Sequence, residues 1–333
     1  MKVLVTGASG LIGSQLATFL SIPSSSLPQQ SKAYAAASTH IDARQADGST
    51  PPLPRYKSSS SAPSSQGHTV IPLSLRGLDD EDELAKKLDN LSLNAVVHLA
   101  GESIAERWTE EKMLHIKESR INGTNLLYQA LAKIQRRPQT LICASAIGYY
   151  GNRNNESLNE QSSKGDGFLA NLCAQWEQTQ NKAASLGIRV VNMRFGVVLS
   201  KHGGALSKML LPFQLGAGGI IGNGQQYMSW IDIDDVTGAI YHALTNNTLT
   251  GPVNVVSPHA VTNQEFTKVL GKVLCRPTLI PIPSFGLRML FGAMADELLI
   301  SGQNVIPAKL QASGYQFQYP DLEPSLRHVL NQK

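Results

Sequence analysis

The run Thr6-Gly7-Ala8-Ser9-Gly10-Leu11-Ile12-Gly13 constrains this chain more than any other. It follows Met1-Lys2-Val3-Leu4-Val5, an apolar, β-branched stretch that reads as a buried strand. It leads into Ser14 to Leu20, whose apolar residues recur at helical spacing. Strand, glycine turn and helix start together form a phosphate cradle, in which free N–H groups and the positive end of the helix dipole face a diphosphate. Gly7 permits the tight turn, Gly10 lets the backbone approach the ligand, and Gly13 lets helix and strand pack closely. Ser9, Leu11 and Ile12 complete the loop, and the expected ligand is a dinucleotide.

Further along, apolar runs alternate with helical patterns as a parallel α/β sheet requires. Val96 to Ala100 reads as a strand, Glu110 to Lys133 as a long helix, and Thr140 to Ser145 as the next strand. A helix from Asp166 to Leu186 and a strand from Ile188 to Met193 follow. After Arg194, glycines at 203–204, 216–219 and 222–224 break the pattern, which resumes near Pro252 to Val256. The expected fold is a Rossmann-type doubly wound parallel sheet with a smaller C-terminal substrate-side subdomain. Residues 1–195 with roughly 232–256 make the dinucleotide-binding part, and 196–231 with 257–333 make the other.

Composition narrows the function classes. With 333 residues, 42% of them hydrophobic, the chain can bury a large core. The net charge of +4 is scattered and forms no basic run, so nucleic acid is not an expected partner. Cys143, Cys173 and Cys275 lie far apart, which argues against a disulfide framework or structural zinc, and no metal is expected. No run of 18 apolar residues suggests a membrane span, and Phe285 to Ile300, the most apolar segment, reads as a core or interface helix. With no leader before the first strand, the expected compartment is the cytoplasm, or the plastid stroma or another organelle if a targeting segment is missing.

One segment fits no compact fold. Of the 44 residues from Ser24 to Gly67, 24 are Ser, Pro or Ala, too few apolar groups to offset ordering entropy, so it reads as a disordered insertion. It leaves the register open: Thr69 to Arg76 is either the second strand, or the third behind a poor second strand near Ala33 to Ser38. In the first register Arg76 ends the strand where an acidic residue would select NAD, and a basic residue there suits the 2′-phosphate of NADP.

These residues resemble the short-chain dehydrogenase/reductase superfamily in its extended, epimerase-like form. The glycine turn, the second loop Val97-His98-Leu99-Ala100-Gly101, the turn Ser145-Ala146-Ile147-Gly148-Tyr149-Tyr150-Gly151 and the segment Trp230 to Val236 carry the resemblance. Glu102 to Ile104 with Arg107 to Thr109, Glu118 to Arg120, Leu172 to Glu177, Arg194 to Leu199, Ser301 to Pro307 and Gly314 to Phe317 resemble an atypical "epimerase family protein" subgroup. The resemblance places the cofactor along the glycine loop and Leu99, Ala100 and Gly101; with Arg76 at the strand end the expected cofactor is NADP, less readily NAD, and Arg120 is expected to contact cofactor or substrate. It also makes a homodimer conceivable.

The chain departs from that family where catalysis is concerned. Working members use Tyr-x-x-x-Lys on the helix after the serine strand; those places here hold Leu169 and Cys173. The assisting Asn becomes Arg120, and only Ser145 stays. Ser145 and Tyr149 are the candidate catalytic residues, with Tyr150 the neighbouring alternative to Tyr149. His98 reads as a satisfied strand-end histidine, Cys173 as a small buried hydrophobe, and Asp234 as a helix cap. Two functions stay open: a reductase or epimerase acting on a small carbonyl or hydroxyl compound, and a non-catalytic NADP(H)-binding sensor or regulator, for example of cell or plastid division.

Overall fold

The computed structural model describes residues 1–22 and 68–332. Six parallel strands form one sheet: β1 (Lys2–Thr6), β2 (Thr69–Leu73), β3 (Ala95–His98), β4 (Thr140–Ala146), β5 (Arg189–Phe195) and β6 (Gly251–Val255), in the order β6-β5-β4-β3-β1-β2. The crossovers run through α1 (Leu11–Ser21), α2 (Glu81–Asp89), α3 (Glu110–Lys133), α4 (Phe168–Asn181) and α6 (Ile233–Thr245), with α5 (Gly204–Gln214) preceding α6. Alternation along the strands sorts the core into two layers. Val3, Val5, Val97 and Ile142 face α1 and α6, whereas Leu4, Val96, Leu141 and Cys143 face α2 and α3.

Local chemistry sets the boundaries. α3 starts at Glu110 because the Thr109 side chain accepts from the Lys112 N–H. Pro72 is tolerated in β2 because that strand lies at the sheet edge among the described residues, pairing only with β1. This pairing decides the register: Thr69–Leu73 lies directly beside β1, as a second strand does, while the stretch near Ala33 to Ser38 falls outside the described residues.

Beyond β5 the chain builds a third core around Trp230, Phe266 and Leu206, with α7 (Asn263–Val273) and α9 (Leu322–Leu330) packed on it. Between them lies α8 (Ser284–Phe291). Two short parallel pairs sit beyond the sheet's C-terminal edge: Val197–Leu199 with Trp230–Asp232, and Ser157–Leu158 with Asn304–Val305. The buried Asp235 carboxylate accepts from the Tyr315 hydroxyl at 2.9 Å and from the backbone N–H of Gln318 and Tyr319, clamping the tail to α6.

Several expectations are corrected. The helix expected from Asp166 to Leu186 is α4 from Phe168 to Asn181, tightening into a 3₁₀ turn to Leu186. The single helix expected from Phe285 to Ile300 breaks at Gly292, whose φ of +61° ends α8, and a short π turn takes up Ala295–Ile300. α8 has no fully buried residue, and Phe285 and Met289 are exposed, so it is not a core helix. The cap of α6 is Asp232, which accepts from the Asp234 N–H, rather than Asp234 itself. None of the described helices is long and apolar enough to cross a membrane.

Replacing Tyr315 by Phe removes a bond to a buried carboxylate and is expected to cost about 1.5–3 kcal/mol. Equilibrium urea unfolding measures it, with α6 and the tail losing hydrogen-exchange protection together.

Candidate cofactor groove and the cavity beside it

The first and second loops touch. Gly7 has a φ of +71°, and a Cβ there would lie 2.7 Å from the Leu99 carbonyl carbon; one at Gly13 would lie 2.2 Å from the Gly7 oxygen. Only glycine fits either place, so the α1 N-terminus closes onto the end of β3. A groove of about 890 Å³ opens there, lined by Gly7 to Gly10, Leu73 to Arg76, Leu99 to Glu102 and one face of α3.

The groove therefore brings together Gly7, Ser9, Gly10, Arg76, Leu99, Ala100 and Gly101. The exposed Arg76 guanidinium makes no ion pair among the described residues. Leu11, Ile12 and Gly13 lie off the groove: Leu11 packs by Gly203 and Gly204, Ile12 joins the core, and Gly13 is buried under Gly7. Arg120 also lies behind it. That guanidinium donates to the Ile116 and Glu102 carbonyls at 3.1 Å, sits 5.2 Å from the Trp176 ring centre, and so braces the second loop from below. Sequence reading missed the α3 face, where Glu118, Asn122, Asn125 and Gln129 line the groove; their spacing of four, three and four is a polar helical stripe.

At the end of β4 the side chains turn inward. Ser145, 3% exposed, donates its hydroxyl to Glu177 Oε1 at 2.6 Å. Glu177 is gripped by Arg194 through two bonds of 2.8 Å, and Arg194 also donates to the Tyr150 hydroxyl, which donates in turn to Asn254 Oδ1 at 2.7 Å. Burial opposes charge on Arg194, but Glu177 and Tyr150 outweigh it and hold the guanidinium above its usual range. Burial pushes the Tyr150 phenol upward. The ring of the half-buried Tyr149 lies 3.5 Å under the Arg194 guanidinium, and its hydroxyl has no partner among the described residues. Ser145 and Tyr149 share no hydrogen bond; Glu177 and Arg194 link them.

A second cavity, of about 270 Å³, lies at the α4 N-terminus beside Gly148, Gly151 and Leu169. The capping position there is Gly167, with a φ of +105° and no side chain to offer. Glu297 supplies the missing acceptor from the π turn, its two oxygens taking the Phe168 and Leu169 N–H groups at 2.9 and 3.3 Å.

A family model described as "NAD dependent epimerase/dehydratase family" matches residues 3–257, and one described as "Domain of unknown function (DUF1731)" matches 282–329. The chain belongs to the NAD dependent epimerase/dehydratase family. "Epimerase family protein Mb2239" of Mycobacterium bovis is 40% identical over 79% of this chain and 89% of its own. "Epimerase family protein SDR39U1 homolog, chloroplastic" of Arabidopsis thaliana is 41% identical over 71% of this chain and 68% of its own. The crystal structure of human epimerase family protein SDR39U1 (isoform 2) with NADPH superposes with a TM-score of 0.78 at 32% identity, covering 99% of both chains.

In this member of the epimerase/dehydratase family, Leu169 packs into an apolar cluster with Trp108, Ile116 and Leu172. Burial, with Glu177 nearby, pushes the Cys173 thiol up to about 12, so it stays a neutral, inert packing group at neutral pH. Asp232, Asp234 and His328 lie close together, but Asp232 caps α6 and takes the Ser325 hydroxyl, while Asp234 accepts from His328 and Gln15. His98 is buried between Thr6 and Thr124, at 2.7 and 3.1 Å.

Burial lowers the His98 imidazole from 6.5 to about 4. The unfolded chain then binds the proton first, so on the order of 3 kcal/mol of stability is present above pH 6.5 and is lost as the pH falls toward 4. Urea midpoints measured between pH 7.5 and 4 should fall more steeply for the parent than for His98→Asn.

Proposed function

We propose that this chain binds NADPH in the groove and serves reductase- or epimerase-type conversion of a small carbonyl or hydroxyl compound, without Tyr-x-x-x-Lys. The observation that carries the reading is the groove itself, with two backbone loops in contact and, three residues past β2, the Arg76 guanidinium, which makes no ion pair among the described residues. Gly7 to Gly10 line the groove where a diphosphate would meet the start of α1, and Arg76 is the charge available to a 2′-phosphate. Bound there, the dinucleotide would supply hydride chemistry. Arg120 holds the second loop in place by its bond to the Glu102 carbonyl.

Tyr149 is the residue available to move a proton, because it is half-buried and its hydroxyl has no hydrogen-bond partner among the described residues. Ser145 acts through others: its proton faces Glu177, which fixes Arg194 over the Tyr149 ring. One observation favours a non-catalytic NADPH-binding regulator as second reading. The two helix positions that carry proton-transfer chemistry in working relatives are buried packing groups here, Leu169 and Cys173. The chloroplastic plant relative supports the plastid as the alternative compartment to the cytoplasm.

Calorimetric titration tests the cofactor assignment. Arg76→Ala should weaken NADPH by about 10–100-fold, or about 1.4–2.7 kcal/mol, and leave NADH unchanged. Equal affinity of the parent for both nucleotides would refute the 2′-phosphate contact. Tyr149→Phe should lower turnover of a responsive carbonyl compound by about 10²-fold or more at unchanged NADPH affinity. Unchanged turnover would remove Tyr149 from the chemistry.

A further inference from the structure

We infer that Glu297 makes the cavity at the α4 N-terminus selective for small uncharged or cationic molecules and closes it to phosphates and carboxylates. This rests on the proposal that the chain works on a small carbonyl or hydroxyl compound.

A helix N-terminus with no side-chain cap would ordinarily welcome an anion, since its N–H groups and dipole both favour negative charge. Here that seat is taken. Glu297 accepts from Phe168 and Leu169, and a Cβ on Gly167 would lie 2.5 Å from its Oε1, so glycine is what lets the carboxylate in. An incoming anion finds the Phe168 and Leu169 donors occupied and a like charge in its place.

The rest of the cavity points the same way. Its wall contains two more carboxylates, Asp166 and Asp296, and no Lys or Arg. Arg288, on α8, is bonded to Asp296 at 2.9 Å, and Arg153 is held by Glu156. Neither is among the lining residues. The neutral lining groups Asn152, Ser301 and Gln303 suit hydroxyl, amino and carbonyl groups. At about 270 Å³ the space lies just under the ~300–1,000 Å³ of common ligand pockets, which fits a few-carbon compound better than a nucleoside diphosphate. The position bears on the chemistry, because the cavity touches Leu169, where working relatives carry the proton-transfer Tyr.

The test uses the full chain saturated with NADPH and four ketone probes of similar size: dihydroxyacetone (neutral), aminoacetone (cationic), and pyruvate and dihydroxyacetone phosphate (anionic). Titration followed by NMR or calorimetry should give the parent at least about tenfold tighter binding of a neutral or cationic probe than of either anion. Glu297→Gln, which keeps an oxygen for the Phe168 N–H, should close most of that gap by admitting the anions. Asp166→Asn, at an exposed position, should narrow it less. Equal or tighter binding of pyruvate or the phosphate by the parent overturns the inference. So does binding of none of the four while NADPH binds, or a folded Glu297→Gln protein with an unchanged ratio. Failure of NADPH itself to bind overturns only the cofactor reading, and the same probes on the free protein then decide the charge preference.

Discussion

The ion pair between Arg194 and Glu177 organises the C-terminal edge of the sheet. Both residues are buried, and their two 2.8 Å bonds join the end of β5 to the middle of α4. Taking two charges out of water costs several kcal/mol per ion, so such a pair persists only where further bonds satisfy what remains. Here Ser145 donates to the carboxylate, and the guanidinium donates to Tyr150 and covers Tyr149. Removing either partner would strand a buried charge, at a cost of about 3–5 kcal/mol. The turn after β4 is shaped by that requirement, and with it the edge of the smaller cavity, which Gly148 and Gly151 line.

The same network links the sheet to the C-terminal part. Tyr150 reaches Asn254 on β6, whose amide donates to the Ile306 carbonyl, while Glu160 accepts from the backbone N–H of Asn254 and Lys309. Glu297 makes a second link, from the π turn to α4. The segment around Gly292 thus contributes to the site without contributing to the main core: α8 has no fully buried residue, yet Phe291, Met294 and Leu299 pack with Trp108 and Leu169.

The groove was legible from sequence because its chemistry is local. Gly7, Gly10 and Gly13 encode turn, approach and packing within eight residues, and the strand and helix flanking them have their own periodicities. The second loop and Arg76 were legible for the same reason, since each ends an apolar run. Ser145 shows the limit. Its place at a strand end was readable, but whether its hydroxyl faces cleft or interior depends on Glu177, 32 residues away. Leu11, Ile12 and Arg120 lie in the right segments but point elsewhere, because helix phase and Trp176 direct their side chains.

By itself the sequence determined the parallel α/β architecture, the family, the cofactor loop and the lack of a Tyr-x-x-x-Lys pair. These follow from residue type and short-range spacing, which survive in one dimension. Tertiary structure alone decided that Arg194 covers Tyr149, that Ser145 is turned inward, and that Glu297 caps a helix 129 residues away. Those contacts join elements whose separation along the chain carries no period and no motif, and they are settled by which polar groups the packed elements bring within reach of one another.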